Sequence, residues 1–204
     1  MRNASTIGML LSLIAVRAYA DEPAAAIRST GLDANYFQYG VSLVAETVLS
    51  AGAMCSGAEA CILGSGGGIS GRAGFRSRGA WYVGGVYEIT KQETNNLYRL
   101  GTLQQLRAEF RYHFDTSYKV MPVMIASGGL FAYGNTWGVD TFGPVASLGV
   151  GVEVQVSRRT LLGLQFSYRG LLSSPFVDES GFARERGIVS LLGIEIVVEG
   201  RDPF

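Results

Sequence analysis

Residues 105–114 alternate without a break. Leu106, Ala108, Phe110, Tyr112 and Phe114 fall on one side, and Gln105, Arg107, Glu109, Arg111 and His113 on the other. Successive side chains of a strand point to opposite faces, so this period of two predicts a strand with one face in an apolar medium. Residues 142–157 repeat the pattern. Phe142, Ala146, Leu148, Val150 and Val152 face one way, against Gly143, Ser147, Gly149, Gly151 and Glu153. Shorter versions recur at 38–46, 69–76, 81–90, 162–169 and 188–199. Residues 119–133, apolar on both faces with Gly128-Gly129 in the middle, complete a set of eight predicted strands.

The connections alternate as well. Ser77-Arg78-Gly79, Asp115-Thr116-Ser117 and Arg158-Arg159 are short enough for tight turns. The remaining four, at about 49–60, 91–97, 135–140 and 172–185, are longer. Tight turns on one rim and longer loops on the other are the signature of a transmembrane β-barrel. This arrangement puts the N-terminus and the tight turns on the periplasmic side and the long loops outside.

Alternation alone also fits a soluble barrel with its apolar face inward. Three features favour the inverted arrangement. Aromatic residues gather near predicted strand ends, as in the interfacial girdles of membrane barrels: Phe75, Trp81, Tyr87, Tyr112, Phe114, Tyr118, Tyr133, Trp137 and Phe142. The polar face carries Arg72, Arg76, Arg107, Arg111 and Arg169 against Glu46, Glu88, Glu109, Glu153, Glu195 and Glu199. Lys occurs only at Lys91 and Lys119. Arg, with its planar fork, is the residue of desolvated ion pairs, so these eleven side chains are expected to form an ion-pair network in the lumen. Gly and Ser supply the rest of that face, which suits a narrow interior that long side chains must fill. In lipid the sheet has to close, because open edges leave backbone groups unsatisfied.

The first residues have a different pattern. Met1-Arg2 is followed by the apolar run 7–16 and by Ala18-Tyr19-Ala20, the layout of a secretory signal peptide. No stretch approaches the roughly 18 apolar residues of a membrane-spanning helix. The expected organisation is a signal peptide at 1–20, a polar lead at 21–35, the barrel at 36–200 and a short tail at 201–204. Export implies an oxidising compartment, and Cys55 and Cys61 are spaced for a local disulfide. Two metal-ligating thiolates are the alternative, and His113, the sole His, argues against a zinc site. Formal net charge is zero, and loss of Arg2 and Arg17 with the leader leaves 15 basic and 17 acidic residues. Nucleic-acid binding, which needs a basic excess, is not expected.

With leader, strand count, loop asymmetry and charged lumen face together, the chain resembles the small eight-stranded outer-membrane β-barrels of the OmpA and OmpX type, over roughly 36–200. The resemblance implies an all-β, antiparallel, up-and-down transmembrane barrel. Its surroundings would be outer-membrane lipid and lipopolysaccharide. Members of this class often end in Phe with apolar residues alternating back from it. Phe204 is present, but Asp202 and Gly200 break the alternation, so the last strand is expected to end near Glu199.

Candidate chemistry is sparse. Gly66-Gly67-Gly68-Ile69-Ser70-Gly71 fits the spacing of a dinucleotide-binding loop, yet a strand follows where a helix is needed. It reads better as close backbone approach in a strand. His113 maps to the periplasmic rim, facing inward, as a structural hydrogen-bonding group. Ser173-Ser174 and Asp178-Glu179 read as a solvated loop, and no G-x-S-x-G element occurs. The expectation is a protein with no catalytic residues, metal or cofactor, with a lumen plugged by side chains. It would be structural or would bind an extracellular ligand through loops 49–60 and 172–185, which project outward. A narrow transport barrel for ions or small hydrophobic molecules is the alternative, followed by a lipid-modifying enzyme.

Overall fold

The computed structural model describes residues 35–55, 61–94, 98–114 and 120–203. The leader, Tyr118, the turn at 115–117 and Phe204 lie outside them. Eight long strands form one closed antiparallel barrel: β1 (Tyr36–Ser50), β2 (Gly66–Arg76), β3 (Trp81–Gln92), β4 (Gly101–His113), β5 (Val120–Asn135), β6 (Thr141–Gln155), β7 (Thr160–Ser173) and β10 (Gly187–Pro203). Each barrel strand pairs with its neighbours along the chain, and β10 closes on β1 from Tyr36↔Pro203 onward. A two-stranded hairpin, β8 (Phe176–Val177) with β9 (Ala183–Arg184), stands on the loop between β7 and β10.

The period of two maps directly onto the wall. Leu43 and Leu148 on the apolar face are 66% and 68% exposed, while Glu88 and Arg169 on the other face are fully buried. The same holds at closer range. Phe110, Val152 and Ile194 point out of the barrel, and Arg107, Glu153 and Glu195 point into it. Hydrocarbon outside and ions inside is the only way such a wall can sit in lipid with every backbone group paired.

Three features differ from the sequence expectation. The last strand does not stop near Glu199. It runs to Pro203, with Arg201 buried, because residues 200–203 pair fully with Tyr36–Tyr39 of β1. Tyr133 is no girdle residue: it points inward and is completely buried. β5 has little polar contrast, and only its register, Tyr133 opposite the inward Thr141, decides its faces. Finally, the loop after β1 does not simply project outward. Its 3₁₀ turn (Gly52–Met54) and residues 61–65 fold over the barrel mouth, with Met54, Ile62 and Leu63 buried. Cys55 and Cys61 are joined by a disulfide in that loop.

Candidate functional site

The candidate site is the lumen, built in two storeys. The lower and middle part holds the charges. All eleven side chains singled out from the alternation lie inside, each buried. Arg169 is the hub of the middle layer. Its Nη1 donates to Glu46 Oε1 at 2.6 Å and to Glu88, and its Nη2 to Glu195 Oε1 at 2.6 Å. β7 and β3 are diametrically opposite in the barrel, so the Arg169–Glu88 pair is a strut across its centre. Arg107 Nη2 meets Glu88 Oε2 at 2.8 Å, and Arg72 pairs with Glu195. Thr90 Oγ1 and Gln92 Nε2 donate to Glu46 Oε2 at 2.7 and 2.8 Å.

Arg111 organises the layer below. Its Nε donates to Glu109 Oε1 at 2.7 Å, and its Nη1 to Glu153 Oε1 at 3.0 Å and Glu199 Oε1 at 2.8 Å. β4 and β10 are again diametrically opposite, so Arg111–Glu199 is a second strut. His113 lies beside it. Its Nε2 is 3.2 Å from Glu153 Oε2 and its Nδ1 is 3.1 Å from the Ala80 carbonyl.

Small residues make this filling possible. A Cβ at Gly193 would stand 3.1 Å from the Arg169 guanidinium carbon and 2.9 Å from Ser167 Oγ. At Gly74 it would stand 2.7 Å from the Tyr82 ring. The pattern of small residues opposite long ones is therefore a packing requirement.

The storey nearer the long loops is apolar. Leu103, Phe131, Tyr133, Val145, Leu171, Val189 and Leu191 point inward there and pack with Met54, Ile62, Leu63 and Tyr98 from the loops. Tyr98 and Tyr133 stack with ring centroids 5.9 Å apart, and the Tyr133 hydroxyl donates to the Ile62 carbonyl. The hairpin is tied to this lid: Arg184 Nη1 donates to the Met54 carbonyl at 3.3 Å and its Nη2 pairs with Asp178 Oδ2 at 2.8 Å. Burial alone would raise the Asp178 carboxyl. The Arg184 guanidinium and the backbone N–H groups of Phe182 and Ser180 outweigh it and hold the carboxyl below the ordinary range.

The other residues proposed for the girdle fall as follows. Phe75, Trp81, Tyr87, Phe114 and Phe142 are exposed on the outer face, Trp137 is exposed in the connection between β5 and β6, and Tyr112 is half-buried edge-on to Trp81. Trp137 sits on a tight turn with φ of 74°. The sequence reading missed Arg201, although it continues the two-residue step from Glu195 and Glu199. It also missed the apolar storey, whose inward Val and Leu carry no polar contrast.

A closed eight-strand barrel with this inside-out polarity invites one comparison of folds. Over 81% of its length the chain matches Neisserial surface protein A, covering 96% of that chain with a TM-score of 0.57 at 19% identity. It matches the outer membrane protein OprG of Pseudomonas aeruginosa (TM-score 0.54, 10% identity, 84% of this chain and 97% of that one). It also matches the outer membrane protein AlkL, whose structure was determined in lipid bilayers (TM-score 0.53, 11% identity, 91% and 98%). The fold is that of the small outer-membrane β-barrels. No family model matches the chain, and no curated protein matches it in sequence.

Proposed function

We propose that the chain is an integral outer-membrane barrel without catalytic activity, closed along its axis by its own side chains, presenting loops at the cell surface. The observation that carries this reading is the pair of struts, Arg169–Glu88 and Arg111–Glu199, each spanning the lumen between opposite strands. A solute moving along the axis would have to break both. On this reading the apolar outer wall is solvated by membrane lipid and, in the outer leaflet, by lipopolysaccharide. The surface available for a ligand lies on the hairpin, where Val177 and Phe182 are exposed.

Planar-bilayer recording tests the closed lumen. The wild type should give no stepwise current, and Arg107→Ala should lower heat resistance more than it raises conductance. A large, selective current through the unmutated protein would overturn the reading in favour of a transport barrel. That second reading draws on the apolar storey alone. Loss of surface binding in a Val177→Ser, Phe182→Ser double variant that still folds would support recognition by the hairpin; unchanged binding would remove that role.

A further inference from the structure

Arg201, at the tight-turn end of β10, brings the buried guanidiniums of the barrel interior to six among the described residues, against six glutamates. The balance in number hides an imbalance in place. Arg72, Arg107, Arg111 and Arg169 each have a carboxylate or amide oxygen within hydrogen-bond range. Arg76 and Arg201 do not. Arg76 reaches only Met121 Sδ, at 3.9 Å, and a distant Glu153 Oε2 at 3.9 Å. Arg201 lies over the Tyr36 ring at 5.7 Å. The Nε and Nη1 atoms of Arg76 and the Nε and Nη2 atoms of Arg201 are buried and find no acceptor among the described residues.

The nearby carboxylates point elsewhere: Glu153 Oε2 faces both His113 and Arg76 but hydrogen-bonds neither. Glu153 bonds Arg111 through Oε1, and Glu199 serves Arg111 and Gln38. The two forks flank the same strand: Arg76 is paired in register with Tyr36, and Arg201 with Gln38, two residues along β1. Both side chains turn inward there and are buried. A guanidinium has five donors and no acceptor, and leaving donors of two of them buried side by side, with one carboxylate oxygen 3.9 Å away and out of hydrogen-bond range, is costly. An oxyanion with several acceptor oxygens satisfies both forks at once, bidentately.

We propose that Arg76 and Arg201 form an oxyanion-binding site at the tight-turn end of the lumen, for a phosphate group. This site does not depend on whether the lumen conducts. The phosphate is either a free anion or the headgroup of an anionic phospholipid, and two arms separate these sources. In the first, purified barrel in phosphatidylcholine nanodiscs is titrated with inorganic phosphate by calorimetry. Saturable binding at one site is expected, weakened at least about ten-fold in Arg201→Gln, since charge-assisted bonds to both forks are lost. Arg78→Gln, on the adjacent exposed turn, should leave it intact.

In the second arm, binding of phosphatidylglycerol to the barrel is measured by native mass spectrometry. Loss of bound lipid in Arg201→Gln, with no binding of free phosphate, would assign the headgroup as ligand. Folding of each variant is read from the heat-modifiable gel shift. If Arg201→Gln does not fold, Arg201→Lys keeps the charge but loses the fork, and a weakened affinity is again expected. The proposal is overturned if neither phosphate nor phosphatidylglycerol binds the wild type. It is equally overturned if binding is unchanged in the folded Arg201 variant.

Discussion

The two storeys of the lumen solve one packing problem by opposite means. The charged storey is held by groups that must pair, so its geometry is specified bond by bond, with Arg169 serving three carboxylates from three strands. The apolar storey is held by shape, and part of it comes from a loop. Breaking a pair in the first strands a charge where water cannot reach it. Trimming a contact in the second leaves a void that neighbours partly fill. The lower storey should therefore be brittle and the upper one tolerant.

Arg169→Ala tests the brittle side and should have the largest effect. It leaves Glu46, Glu88 and Glu195 without their shared cation, for a loss of about 3–5 kcal/mol. The folded band in a heat-modifiable gel should disappear at a markedly lower temperature. A variant as heat-resistant as the wild type would show that the struts do not hold the barrel. Ile62→Ala tests the tolerant side. Removing a fully buried lid side chain should cost about 2 kcal/mol or somewhat more, felt locally. Faster hydrogen exchange confined to the lid, with no new conductance, is the expected result. Conductance on trimming Ile62 alone would mean that the lid, not the ionic layer, seals the lumen.

Gly193→Leu sharpens the comparison from the other direction. Overpacking against Arg169 should cost about 1–3 kcal/mol, while Val189→Leu in the apolar storey should be milder. Urea unfolding of the two variants, compared side by side, reads this difference.

The smallest effect concerns the hairpin. Asp178 is held below its ordinary range in the folded state, so its contribution is fully present above the unfolded value and is lost as pH falls through the depressed folded one. Protease resistance of the hairpin should persist at neutral pH and fade only in strong acid. Arg184→Ala should remove about 1 kcal/mol and shift that acid transition to higher pH, the Phe182 and Ser180 N–H groups still holding the carboxylate. An unchanged acid transition in Arg184→Ala would show that the Asp178–Arg184 pair does not hold the hairpin.

Period-two alternation was enough to reveal the strands and the inward Arg and Glu, because charge and hydrocarbon differ so sharply in their cost of transfer between water and lipid. Where that contrast fades, legibility fades with it. β5 and the Val and Leu residues of the upper storey read the same on either face, so Tyr133 was assigned to the wrong side. Asp202 and Gly200 broke the apolar pattern of β10, and only pairing with β1 shows that the strand continues and that Arg201 belongs inside.

By itself, then, the order of residues determined a closed eight-strand wall, its polarity and the cast of its ionic interior, since a one-residue slip would put every charge into hydrocarbon. Tertiary structure alone decided the partners and the lid. Which carboxylate meets which guanidinium across the barrel, and whether a loop stands away from the mouth or folds into it, depend on side chains far apart in the chain meeting in a confined space.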